Sequence, residues 1–156
     1  MEHPHVLRAR GFARHVLNPT MNWLVRRGLT LRGAQLLGVR GRRTGVWRHA
    51  TVYPLEFAGQ TYLVAPRGHV QWTHNLRASG TGTLRSGRRT RHFTAVEVDD
   101  PAKPPLLAAY LNRWRPEVGG YFAAVGASPA TKEDEWHRLA RHFPVFHLTH
   151  RRTPTD

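Results

Sequence analysis

The chain has 156 residues, 24 Lys and Arg against 10 Asp and Glu, a formal net charge of +14 and no cysteine. Those figures exclude a disulfide-stapled scaffold, a thiolate nucleophile and a thiolate metal site, and they suit residues 1–156 as a single domain that buries a real core. The charge is uneven: residues 1–96 carry 16 Arg with only Glu2 and Glu56 as acids, whereas residues 97–156 hold 8 basic and 8 acidic side chains. Such a field attracts polyanions, whether nucleic acid, an anionic membrane surface or a cofactor bearing phosphates and carboxylates.

In chain order, residues 1–30 read as a basic amphipathic helical segment. Val6, Leu7, Phe12, Val16 and Leu17 are interleaved with Arg8, Arg10 and Arg14, and the pattern breaks near Asn18-Pro19. Such a segment packs on the domain or touches a membrane surface. From Ala34 the period changes to two. Ala34–Val39 is expected as a strand, followed by one long strand over Val46–Phe57 with Arg48 facing inward, a turn at Ala58-Gly59 and a strand over Gln60–Ala65. Pro66-Arg67-Gly68 ends that ladder. Gln71–Ala78 suits a short helix, and Thr81–Arg85 with Thr90–Val98 a hairpin.

Leu106, Leu107, Tyr110, Leu111 and Trp114 are spaced as one helical face, so Pro104–Trp114 is expected as a helix. Gly119 to Pro129 reads as irregular. Thr131 with Asp134 three residues on is a capping-box signal for a helix to about His142, and Val145–Thr149 closes the chain as a strand. Strands of this number with peripheral helices define an α+β fold: a small barrel of about six mainly antiparallel strands. No apolar run approaches the roughly 18 residues of a membrane span, and the start does not resemble a signal peptide. A cytoplasmic protein is expected, membrane-associated if the basic segment reaches a lipid surface.

The most informative stretch is Gly41-Arg42-Arg43-Thr44-Gly45-Val46-Trp47-Arg48. Glycines let the backbone approach a ligand closely, guanidinium forks pair with phosphate oxygens, and Thr44 adds a hydroxyl donor. Arg42, Arg43 and Arg48 are expected to converge on one anion. Histidines His137, His142, His147 and His150 lack the spacing of a helical zinc pair, so no metal is expected.

Three segments in order carry a resemblance: the Gly-Arg-Arg-Thr-Gly loop ending at Arg48, then Tyr62-Leu63-Val64-Ala65-Pro66-Arg67-Gly68, then Gln71-Trp72 followed by Asn75-Leu76-Arg77. Together they resemble the deazaflavin (coenzyme F-420)-dependent nitroreductase and quinone reductase family, strongly over residues 18–98. The resemblance implies a split β-barrel binding an 8-hydroxy-5-deazaflavin with a phosphodiester and an oligoglutamate tail. It implies that Arg42, Arg43, Thr44, Gly45 and Arg48 hold the phosphate. Ala65, Pro66, Arg67 and Gly68 then line the deazaflavin, with Trp72, Asn75 and Leu76 supporting the pocket.

It further implies hydride transfer to a small-molecule acceptor such as a quinone, a nitroaromatic or an activated alkene. Tyr121 is the candidate proton donor. Flavin mononucleotide is the second choice of cofactor. The competing functions are a non-catalytic binder of flavin mononucleotide, a haem-like group or a fatty-acyl chain on the same fold, and a basic nucleic-acid module using Arg85, Arg88, Arg89 and Arg91. Nucleic acid is not expected, and monomer and homodimer both remain open.

Overall fold

The computed structural model describes residues 33–151. The basic segment expected over residues 1–30 therefore lies outside the described residues. Seven strands form one antiparallel sheet: β1 (Gln35–Arg40), β2 (Trp47–Val52), β3 (Leu55–Phe57), β4 (Gln60–Val64), β5 (Thr81–Ser86), β6 (Arg89–Glu97) and β7 (Val145–His150). Their spatial order is β2-β1-β5-β6-β7-β4-β3. The two edge strands are thus neighbours in the chain, joined only by Tyr53 and Pro54. Two residues span less than about 7 Å even when extended, so the sheet has to curl until its edges approach, which makes it a half-barrel.

The single long strand expected over Val46–Phe57 is therefore two strands. Pro54 has no N–H for a ladder and restricts the backbone of Tyr53 before it. The chain breaks there: β2 pairs with β1, for example Leu37 with Ala50, while β3 pairs with β4, for example Leu55 with Tyr62. That break accounts for the seventh strand.

Inside the curl, Leu37, Val39, Leu63, Leu84, Phe93, Phe146 and Leu148 form one buried cluster. The first helix, α1 (Gln71–Ser79), closes it by inserting Leu76, and ends on Gly80 at φ 67°, whose N–H bonds Leu76 O at 2.8 Å. A second cluster lies where α2 (Pro104–Ala123) and α3 (Glu133–Leu139) cover Leu55, Val64 and Val145.

Helix α2 runs well beyond the expected end at Trp114. The residue there has non-helical angles (φ −115°, ψ 23°), two positions before Pro116, whose ring and missing N–H disrupt the preceding turn. Beyond this kink the helix resumes through Gly119 and Gly120 to Ala123. Each glycine costs about 1 kcal/mol there. Phe122 outweighs that cost: it is fully buried, stacked on Phe143 at 4.6 Å and edge-on to Trp136 at 5.8 Å. The capping box is not formed. Helix α3 starts at Glu133 after Lys132, without a side-chain cap. Thr131 Oγ1 instead accepts the Ser128 N–H at 2.8 Å, within the preceding turn.

The β1–β5 seam is packed on glycine. A Cβ on Gly82 would lie 2.7 Å from Phe93 Cζ and 2.8 Å from the Gly38 carbonyl, a backbone atom that cannot step aside. Gly82→Ala is expected to cost about 1–3 kcal/mol by overpacking. Gly120→Ala, whose added Cβ meets nothing within 4 Å inside α2, should instead stabilise by about 0.5–1 kcal/mol. Denaturant midpoints of the two variants check both signs.

Candidate functional site

The Gly-Arg-Arg-Thr-Gly segment is the loop between β1 and β2. It is closed by Gly41 N–H to Val46 O at 2.8 Å and Gly45 N–H to Gly41 O at 2.9 Å, with Gly45 at φ 71°. Thr44 Oγ1 accepts the Val46 N–H at 3.2 Å, which leaves the hydroxyl proton of Thr44 available as a donor. Arg40 donates to Gly45 O at 3.1 Å and lies over the Trp47 ring at 4.8 Å, shielding part of that exposed tryptophan.

Helix α1 holds this loop in place. Asn75, 4% exposed, accepts both the Arg42 backbone N–H at 3.1 Å and the Arg42 guanidinium at 2.9 Å, and Gln71 Oε1 takes a third bond from that guanidinium at 3.0 Å. Arg42 is therefore occupied within the protein. Arg43, exposed in the loop, forms no hydrogen bond or ion pair among the described residues. The three motif arginines thus differ in kind: one ties loop to helix, one is free, and the third, Arg48, borders the main cleft.

That cleft has a volume of about 1040 Å³. It runs along edge strand β2, so consecutive residues from Arg48 to Tyr53 border it instead of alternate ones. Arg48 is exposed at its rim rather than buried inward as its strand position suggested. The second wall is the turn after β4. Ala65, Pro66 and Arg67 line the cleft, while Gly68, buried at φ 90°, donates its N–H to Ala65 O at 3.1 Å and shapes the turn from behind. From α1, Trp72 and Asn75 reach the cleft, and Trp72 rests on Phe146 at 6.0 Å. Leu76 does not border it; its side chain is fully buried in the barrel core and backs the wall.

Tyr121, half-buried on α2, lines the opposite end. The sequence reading did not anticipate its neighbours there, Tyr53, Tyr110 and Glu117. Tyr110 and Glu117 sit at helical spacing before Tyr121, a signal masked because the helix was expected to stop at Trp114. Glu117 is the single acid bordering the cleft among the described residues. Burial first, then Tyr53, Glu117 and Tyr121, raises the Tyr110 pKa far above the ordinary phenol range. That hydroxyl stays protonated at any working pH.

Three histidines, His49, His69 and His74, also border the cleft. His69 and His74 are 6.3 Å apart, and His69 Nε2 bonds Arg141 O at 2.9 Å. Burial lowers the His74 pKa, reinforced by the charges of Arg77 and Arg42. Among the described residues no group of His, Cys, Asp or Glu is arranged to hold a metal ion, and no helix is long and apolar enough to cross a membrane.

A curled antiparallel half-barrel with a cleft between a basic β1–β2 loop and a helix-borne aromatic wall defines a split-barrel cofactor-binding protein. Residues 13–127 match the family model described as F420H(2)-dependent quinone reductase, and the chain belongs to that family. Solved structures of similar fold agree. One titled as an F420-H2 dependent reductase has 19% identity and a TM-score of 0.52, over 76% of this chain and 95% of that one. Another, described as a domain-swapped dimer, has 18% identity and a TM-score of 0.55, over 84% of this chain and 95% of its own. A nimc/nima family protein from Clostridium acetobutylicum has 13% identity and a TM-score of 0.50, over 83% and 82% of the two chains. No curated protein matches the chain.

The lowered His74 pKa has a definite sign. The folded state holds a proton less readily than the unfolded state, whose value is 6.5. The contribution of the neutral ring is complete above that value and is lost as pH falls below it towards the folded pKa. Between pH 8 and pH 5 the unfolding midpoint of the wild type should fall more steeply than that of His74→Gln. Parallel denaturant titrations across that range measure the difference.

Proposed function

We propose that the cleft binds coenzyme F-420 and that the protein reduces quinones, with nitroaromatics and activated alkenes as further acceptors. The observation that carries this reading is the polarity of the cleft. One end is bordered by Arg48, Arg67 and the free Arg43 loop, and the other by tyrosines and apolar side chains. A deazaflavin with an anionic tail has that same division. The volume of about 1040 Å³ suits a ligand of this size, since small-molecule clefts run to roughly 1,000 Å³. The donor set therefore fits the group.

When bound, the reduced deazaflavin supplies a hydride to a two-electron acceptor. The residues of this chain bind and orient. Arg43, Arg48 and the Thr44 hydroxyl hold the phosphate, with Gly45 giving the turn its close approach, and Arg67 adds charge along the tail. Arg42 acts from a distance, fixing the loop on Asn75. Ala65 and Pro66, small and rigid behind the Gly68 turn, form the wall for the ring system, and Trp72 packs beside it. Tyr121 delivers a proton to the reduced acceptor. Flavin mononucleotide is the weaker candidate because it leaves Arg67 and the rest of the basic rim without a tail to pair.

The nucleic-acid reading loses support from the hairpin arginines. Arg89 and Arg91 line a separate cavity of about 260 Å³ with His150, whereas Arg85 donates to Gly87 O at 3.0 Å at the turn. They do not form one stripe along which a backbone could lie.

Fluorescence titrations should show tighter binding of coenzyme F-420 than of flavin mononucleotide. Arg43→Ala and Arg48→Ala should each cost about 1.5–3 kcal/mol of coenzyme affinity, with lysine restoring only part. Arg88→Ala should have little effect. Equal losses at all three positions, together with DNA retention that falls steeply with salt, would replace this reading by a diffuse polyanion surface. Tyr121→Phe is expected to slow turnover about 10²-fold while leaving coenzyme affinity nearly intact, measured by steady-state kinetics beside the same titration.

A further inference from the structure

Tyr110 is the one polar side chain of the cleft that the proposed chemistry leaves without a task. It projects from α2 among Leu107, Leu111 and Phe122 and is 1% exposed, its ring tilted against Phe122 at 6.1 Å. Despite that burial it borders the cleft. Its hydroxyl has no hydrogen-bond partner among the described residues, yet it is not sealed in. The one sealed polar side-chain atom without a partner among those residues is His150 Nδ1, on the far side of the barrel. The Tyr110 oxygen therefore opens on the cleft. Tyr110, Trp114, Glu117 and Tyr121 follow one another at helical spacing along a single face of α2. Tyr53 joins them from the β2–β3 corner, with its ring 5.1 Å from Trp114.

We propose that the Tyr110 hydroxyl is a fixed hydrogen-bond donor that orients the carbonyl oxygen of the acceptor and holds the anion formed on reduction, separately from proton delivery by Tyr121. This inference rests on the reductase reading above. Packing on four sides locks the phenol, so its donor is aimed before the acceptor arrives, and a donor set in advance in a water-poor site favours developing negative charge strongly. The choice between donating a hydrogen bond and donating a proton follows from the acidity. Burial and the nearby Glu117 carboxylate keep Tyr110 protonated, so transferring its proton to a hydroquinone anion would run uphill, whereas lending a hydrogen bond costs nothing.

The balance is simple. A quinone takes a hydride from the reduced coenzyme and becomes the hydroquinone monoanion. Tyr121, resupplied by solvent, adds one proton to the anionic oxygen, and the coenzyme leaves oxidised. Tyr110 ends the cycle as it began. The Glu117 carboxylate beside it selects acceptors that are uncharged at this end.

The test compares wild type, Tyr110→Phe and Tyr121→Phe, each first titrated with coenzyme. The probes are substituted phenolates of graded basicity, mimics of the reduced acceptor, added to coenzyme-loaded protein and followed by calorimetry. Wild-type affinity should rise with phenolate basicity. Tyr110→Phe should bind the most basic member about 10-fold more weakly and show a flattened dependence. With a neutral quinone, Tyr110→Phe should lose about 10–10² in kcat/KM by the same factor at every pH from about 6 to 9, while the loss in Tyr121→Phe changes with pH.

Unchanged phenolate affinities and turnover in Tyr110→Phe overturn the proposal while leaving the reductase reading intact. Failure of the wild type to bind coenzyme overturns both. If Tyr110→Phe does not fold, fluorinated tyrosine placed at position 110 replaces it. A more acidic phenol is a stronger donor, so phenolate affinity must rise, and a constant affinity overturns the proposal.

Discussion

Tyr53 and Pro54 join the two edges of the sheet, and nearly every feature of the cleft depends on that short connection. Because β2 and β3 are consecutive in the chain yet lie at opposite ends of the strand order, the sheet closes on itself and leaves the free side of β2 facing a cavity instead of another strand. The corner is held from the helix layer. Trp114 donates its indole N–H to Pro54 O at 3.1 Å and packs on Tyr53. The same tryptophan marks the kink of α2, so one side chain sets both the sheet corner and the direction of the helix that carries Tyr121. An unpaired edge is ordinarily a hazard for association, and here the exposed side of β2 contributes Arg48, His49 and Thr51 to the cleft.

The basic character of the chain is used unevenly. Arg42 stabilises the β1–β2 loop through a nearly buried amide, Arg40 covers an exposed tryptophan, and Arg77 pairs with Glu97 at 2.8 Å. Such roles need the planar fork of arginine as much as its charge. They leave Arg43 and Arg48 as the motif cations turned outward, one in the loop and one at the cleft rim. A net charge of +14 is therefore a poor guide to where an anion sits; the ligand-facing charges are those that the fold has not already paired.

The acidic partner of this pattern is equally local. Lys103, buried in the helix layer, bonds Ala140 O at 3.2 Å and Asp100 at 2.7 Å, joining the start of α2 to the end of the α3 region. With Phe122, Trp136 and Phe143 stacked beside it, that junction gives α2 a rigid seat on both sides of its kink. The cleft face of α2 is thereby positioned from outside the cleft, which frees its inward side chains for a ligand.

Local chemistry was sufficient for much of this to be legible in advance. The period-two runs marked the strands, glycines marked the turns at 45, 68 and 80, and the three ordered motifs marked the family, because each of these signals depends on neighbours within a few residues. What the sequence could not decide depended on contacts made across the chain. Whether Gly119 and Gly120 were helical turned on Phe122 finding Trp136 and Phe143. Thr131 served a turn, not a cap, because Ser128 lay closer to it than the helix end did. Arg42 became a structural tie and Arg43 stayed free because Asn75, 33 residues away, had one amide to offer and took the nearer guanidinium. Tyr110 looked like an ordinary core residue, as its spacing and burial both say; only the tertiary packing, by leaving its oxygen on an open cleft with no partner, separated it from the leucines on either side.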